Sequence, residues 1–235
     1  MALPILETPK HNTVLPSSQR TVYFRPFLVG EQKVLLMAQE SEDQNQQISE
    51  MIRLINVCSD DMEAQSLATI DLEYLFLQIR IKSVGETSDV QMICTSCNQD
   101  NKVTVHLDKA TVEEPKEIID NIVEITPTIS LDLRHPSYEI VNKVDLNNSE
   151  DPKVIFDVVA QCINTIIDGD EIHTRDDFTD KELMSFLDTM SLEMFENVQK
   201  FFVNTKTLQI TGTYDCEHCK ETSPYELVGL GNFFG

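Results

Sequence analysis

Two Cys-x-x-Cys pairs constrain this chain more than anything else in it: Cys94-Thr95-Ser96-Cys97 and Cys216-Glu217-His218-Cys219. Each stands between two short runs of strand-forming residues, 88–93 and 102–107 around the first, 207–214 and 222–228 around the second. A hairpin with a cysteine pair at its turn is a zinc knuckle. Two intervening residues let both thiolates converge on one ion while backbone N–H groups turn toward the sulfurs. Two knuckles supply four thiolates, the donor set of a zinc ribbon, and zinc suits four soft sulfurs better than harder ions do. Cys94, Cys97, Cys216 and Cys219 are therefore the expected ligands of one structural Zn2+. Four thiolates leave no open position for catalysis, and His218 reads as a turn residue rather than a ligand. The competing readings are a redox pair and plain buried thiols. A thioredoxin-like pair should open a helix inside a βαβ unit, and neither pair does.

The two pairs lie more than a hundred residues apart, so whatever separates them is an insertion in the ribbon or a domain built onto it. A length of 235 residues allows one large domain or two small ones. The apolar content of 41% supports a core without disulfides. No apolar run approaches the roughly 18 residues of a membrane span. The N-terminus lacks the continuous apolar stretch of a secretory leader, and a reducing cytosol is the expected compartment. Cys58 and Cys162 fall on apolar helical faces and read as buried thiols.

A net charge of −22 argues against general nucleic-acid binding, which needs a basic footprint, and against anionic membranes. The charge is uneven. Residues 1–34 hold four basic and two acidic side chains, a net of +2, which leaves −24 for the remainder. An acidic body with a near-neutral arm fits this asymmetry, as does a solvated acidic surface without further meaning.

Residues 1–19 carry three prolines and read as an extended arm, followed by a strand over 20–29 with Pro26 at an edge or bulge. The aromatics Tyr23, Phe24 and Phe27 of that segment either pair with another chain or pack on their own body. Helices are expected over 31–41, 44–58 and 69–83, the last capped by Thr69 and stopped by Gly85. Strands follow over 121–126 and 128–134, then a short helix over 137–143. The polar run 147–151 is the best internal boundary. Asp151-Pro152 opens a helix whose apolar stripe runs from Val154 to Ile166 and which Asp168-Gly169 ends. Thr179 to Glu182 is a capping box, and Ser191 caps a further helix. The Met and Phe stripe of that pair of helices is either core or a partner groove. The tail ends in Phe233 and Phe234, which dock on the body or anchor in a partner.

No phosphate-binding glycine loop, Gly-x-Ser-x-Gly or His-Glu-x-x-His occurs, and the histidines show no paired ligand or base spacing. The acidic runs at 168–171 and 176–177 lack calcium-loop spacing. The chain is expected not to be an enzyme.

Several runs resemble a known group: Met1-Ala-Leu-Pro4, Phe24-Arg-Pro-Phe-Leu-Val29, Lys33-Val-Leu-Leu-Met-Ala38, Asp71-Leu-Glu-Tyr-Leu-Phe-Leu-Gln-Ile-Arg80 and Lys82-Ser-Val-Gly-Glu86. Together they resemble the baseplate hub proteins of T4-like contractile-tailed phages, densely over residues 1–100 and more loosely to the end. The resemblance implies a hub subunit or a hub assembly factor. It would act in the host cytoplasm during assembly, with or without a place in the finished virion, and contact other hub proteins.

The expected fold is thus α+β, with helical subdomains around a small antiparallel β layer and a zinc-ribbon-like clamp of four cysteines. Its segments are an arm and strand (1–30), helices with the first knuckle and β layer (31–146), and a helical subdomain with the second knuckle and tail (147–235). Expected partners are other hub proteins, met through Tyr23, Phe24, Phe27, Phe233 and Phe234, with neither nucleic acid nor membrane. The alternative is a zinc-ribbon module that binds nucleic acid or serves transcription, but no basic patch forms beside either knuckle.

Overall fold

The computed structural model describes residues 7–39, 44–115, 117, 120–143 and 152–233. The polar run 147–151 and Phe234 lie outside them. Among the described residues the chain is α+β, with small antiparallel sheets, and its contacts divide it into two units. One comprises Met1–Ala64, Ile70–Glu113 and Lys206–Gly235; the other comprises Gln65–Thr69 and Glu114–Thr205.

The first unit opens with a hairpin where an extended arm is expected. β1 (His11–Val14) pairs with β2 (Thr21–Phe24), His11 opposite Phe24 and Val14 opposite Thr21. Val22 and Phe24 point inward and Thr21 and Tyr23 outward, the period of two that a half-buried strand requires. The turn is held from outside. Asp71, only 1% exposed, accepts from the backbone N–H and hydroxyl of Ser17 (2.7 Å each) and from the hydroxyl (2.9 Å) and N–H (3.3 Å) of Ser18. Lys206 Nζ donates to the Pro16 carbonyl at 3.1 Å. Proline-rich and polar, the segment shows no strand signal of its own; its partner contacts supply the order.

α1 (Val29–Gln39) and α2 (Gln44–Cys58) follow. Arg25 forks onto Glu31 at 2.7 and 3.0 Å, tying the end of β2 to the first turn of α1. That bond holds the Glu31 carboxyl below its ordinary range. α3 (Thr69–Val84) is the centre of this unit. Ile70, Leu72, Leu75, Phe76, Leu77, Ile79 and Ile81 are all buried, so the helix is enclosed on every side rather than amphipathic. Gly85, at φ 127°, ends it. Thr69 does not cap the helix with its hydroxyl, which turns instead to the Pro136 carbonyl at 3.2 Å.

β3 (Thr87–Ile93) and β4 (Asp100–His106) form the hairpin of the first cysteine pair, and β10 (Thr207–Asp215) and β11 (Thr222–Val228) that of the second. β5 (Thr111–Glu113) pairs with the start of β10, Glu113 opposite Thr207. The strands leading out to the second unit and back from it are therefore neighbours.

The second unit is a sheet of β6 (Ile122–Glu124), β7 (Ile129–Leu133), β8 (Ile163–Asp168) and β9 (Glu171–Thr174), in that order. Besides α4 (Tyr138–Lys143), it holds α5 (Pro152–Cys162), α6 (Asp180–Asp188) and α7 (Leu192–Val203), which cover one face of the sheet. The stripe expected as one helix to Asp168 divides at Cys162. Ile163, Thr165, Ile166 and Ile167 are β-branched and find a strand on either side, and tertiary pairing outweighs the helical period. Gly169 (φ 60°) turns β8 into β9. Val159, Leu183, Leu187, Phe195, Val198 and Phe201 meet Leu131, Leu133 and Ile163 in the core, so the Met and Phe stripe packs inward there. Burial of each large apolar side chain stabilises the unit by about 1.5–3 kcal/mol. Both arms of the Thr179–Glu182 capping box form, and Ser191 accepts from the Met194 N–H.

Asp71→Ala should lower unfolding free energy by about 2–4 kcal/mol, because donors of the Ser17-Ser18 turn lose a buried acceptor. Urea unfolding of the full chain measures this.

Candidate metal centre

Each cysteine pair lies at the tip of a hairpin with the same backbone path. The Cys94 N–H reaches the Gln99 carbonyl (3.0 Å) and the Asn98 N–H the Cys94 carbonyl (2.8 Å). Likewise the Cys216 N–H reaches Glu221 (2.9 Å) and the Lys220 N–H reaches Cys216 (3.0 Å). Just after the second cysteine of each pair, Asn98 and Lys220 adopt left-handed backbone, φ 54° and 63°. Asparagine tolerates this conformation better than lysine does.

The two tips bring their sulfurs together. All four Sγ atoms lie within 4.8 Å of one another, Cys94 to Cys219 at 3.8 Å and Cys97 to Cys216 at 3.6 Å. A tetrahedral zinc with Zn–S bonds of about 2.3 Å needs sulfur–sulfur edges of about 3.8 Å, and a disulfide needs about 2.05 Å. The spacing fits a shared metal ion and not a disulfide, and each of the six cysteines is a free thiol. Cys94 and Cys216 are fully buried, Cys97 half-buried, and Cys219 the most accessible.

Backbone N–H groups point at the sulfurs, as the spacing predicts. Those of Cys97 and Ser96 hold the Cys94 thiol below its ordinary pKa, and those of Cys219 and His218 bring Cys216 down to about 6. The N–H of Gln99 acts on Cys97 in the same sense, but burial and the neighbouring sulfurs outweigh it and push that thiol up to about 12. Cys219 is raised too, by burial and Cys216 against the N–H of Glu221. The backbone N–H groups thus favour thiolate at the first cysteine of each tip, while burial and neighbouring sulfurs disfavour it at the second. Four thiolates this close need a cation among them. Cys58 and Cys162 differ: burial pushes their thiols up to about 11 and about 12, and the Cys58 Sγ lies 3.9 Å from the Glu31 carboxylate rather than near another sulfur.

Side chains other than the cysteines fasten one tip to the other. Asn101, 2% exposed, accepts from the Glu217 N–H at 2.8 Å and donates to the Gln99 carbonyl at 2.9 Å. His218 Nε2 lies 3.2 Å from the Asp100 carbonyl. Gly212 is opposite Tyr225, whose ring lies across it; a Cβ there would come within 2.5 Å of the phenol oxygen. Sequence reasoning did not single out Asn101, although a signal exists: it occupies the inward phase of β4, where the other inward residues are Val103 and Val105.

Of the aromatics expected to meet partners, Tyr23 is 54% exposed, whereas Phe24 and Phe27 are 2% and 8% exposed and pack inside their own unit. The backbone at Phe233 belongs to a short 3-10 turn.

An α+β protein with four converging thiols and no membrane-spanning helix among the described residues is what fold and site define. Residues 8–235 match the family model described as T4 bacteriophage base plate protein, and the chain belongs to that family. A search of curated proteins and a search of solved structures each found no match. Family membership gives the protein a structural or assembly role at the phage baseplate, in contact with other baseplate proteins.

Lys220→Gly should raise stability by about 0.5–1 kcal/mol by removing a side chain from left-handed backbone, while Asn98→Gly should change it less. Paired thermal melts of the two variants measure the difference.

Proposed function

We propose that this chain is a non-enzymatic component of the baseplate hub, or an assembly chaperone of that hub, and that it acts by protein–protein contact. In this reading Cys94, Cys97, Cys216 and Cys219 hold one structural Zn2+ as a zinc-ribbon clamp. The observation that carries the clamp is the convergence of four sulfurs within 4.8 Å of one another, with the two cross-tip separations of 3.6 and 3.8 Å close to a tetrahedral edge. Soft thiolates favour zinc over harder cations, and a complete shell gives the ion a structural rather than a catalytic part. The acidic surface, net −22, suits a protein that stays apart from nucleic acid and from its own copies until a partner is met. Assembly in the host cytoplasm, with or without retention in the tail, belongs to the same reading.

Native mass spectrometry of protein purified without chelator should find one zinc per chain, lost in Cys97→Ser and in Cys219→Ser together with cooperative unfolding. Well-folded wild-type protein without metal would remove the clamp.

The contact surface in this reading is Tyr23 with the tail residues Phe233 and Phe234; Phe24 and Phe27 support it from below. Tyr23→Ala should leave the melting temperature within about 2 °C of wild type, because an exposed substitution costs little; Phe233→Ala with Phe234→Ala tests the tail. Each should weaken co-purification with co-expressed hub proteins of the same phage. Unchanged co-purification takes that segment out of the contact surface, and a salt-sensitive shift with DNA would favour the nucleic-acid alternative.

A further inference from the structure

The Asn101 side chain is fully enclosed, both ends of its amide are bonded, and its two partners belong to different cysteine tips. Its oxygen receives the Glu217 N–H at 2.8 Å, between Cys216 and Cys219, and its nitrogen donates to the Gln99 carbonyl at 2.9 Å, just past Cys97. The Gln99 carbonyl also receives the Cys94 N–H at 3.0 Å, so one amide links the backbone that aims Cys94 to the backbone that aims Cys216. An uncompensated amide at this depth would be costly, and a simple β hairpin would place another valine beside Val103 and Val105.

We propose that Asn101 is a positioning residue for the metal: it fixes the second cysteine tip against the first, so that all four sulfurs stand at tetrahedral spacing before an ion arrives. This rests on the zinc-clamp reading. Pre-set ligands bind more tightly because less order is imposed on binding, and hydrogen bonds that orient the ligands of a metal site typically change its affinity about 10- to 100-fold.

The test is zinc competition against a chromophoric chelator, on full-length protein, beside thermal melts. Asn101→Leu fills the volume without the hydrogen bonds, and Val103→Ala in the same strand removes packing without touching them. Glu217→Pro deletes the N–H that Asn101 receives, with Glu217→Ala as control for the lost side chain. Asn101→Leu and Glu217→Pro should each lower zinc affinity about 10- to 100-fold, and the double variant should lose little more than either alone, because both cut one bond. Val103→Ala and Glu217→Ala should stay within about twofold of wild type whatever their melting temperatures, since neither touches the ligand-orienting bond. Wild-type affinity in Glu217→Pro, or equal loss in Val103→Ala, overturns the proposal and leaves the clamp intact. A wild-type chain that takes up no zinc overturns both. Should Asn101→Leu fail to fold, Glu217→Pro against Glu217→Ala decides the matter.

Discussion

Four thiols can share one small space only if something settles their charge, and the first unit is arranged around that requirement. Backbone N–H groups favour thiolate at Cys94 and Cys216, while burial and sulfur neighbours oppose it at Cys97 and raise Cys219. A soft divalent cation would resolve the conflict by taking all four as thiolates. The strand pairings then have one purpose in common: β3–β4 and β10–β11 carry the tips, and β5 beside β10 brings the chain back to the sheet it left.

The same rule governs the two most deeply placed polar side chains of this unit. Asp71 and Asn101 are both almost inaccessible, and both are bonded to segments remote in sequence, Asp71 to Ser17 and Ser18 and Asn101 to Glu217. A buried polar group that finds its partners in one arrangement alone penalises every other arrangement. These residues hold together segments whose apolar surfaces would tolerate slippage. Apolar contacts supply most of the stability, and the polar ones specify which segment meets which.

The sequence made legible what is locally determined. The cysteine spacing, the alternation in the flanking strands, the period of residues 44–58 and the Thr179 capping box all declare themselves within a few residues, and each has its counterpart in the structure. What was not legible depends on distant partners. Residues 11–14 form a strand because 21–24 pair with them and Asp71 holds the turn. Residues 163–168 carry an apolar stripe that suits a helix, and become a strand because β7 and β9 flank them. At the cysteine centre the ligand types and spacing were readable. So was the meeting of the two tips, which the expectation of one shared site already required; the part of Asn101 was not, since an asparagine among valines announces a polar partner without naming it.

The distance along the chain between the two tips also sets an order of events. Cys97 and Cys216 are 119 residues apart, and all of the second unit except its short Gln65–Thr69 piece lies between them. At about 5–20 residues per second on the ribosome, Cys94 and Cys97 are made several seconds before their counterparts exist. The inserted unit can complete its own core in that interval, whereas the first must wait for almost the last residues of the polypeptide. Bringing its two ends side by side through β5 and β10 shortens the remaining search, because a folded insertion with adjacent ends is a far smaller loop to close than an unfolded one. Closure of the first unit is thereby coupled to completed synthesis, so a truncated polypeptide lacking its final strands cannot assemble the cluster.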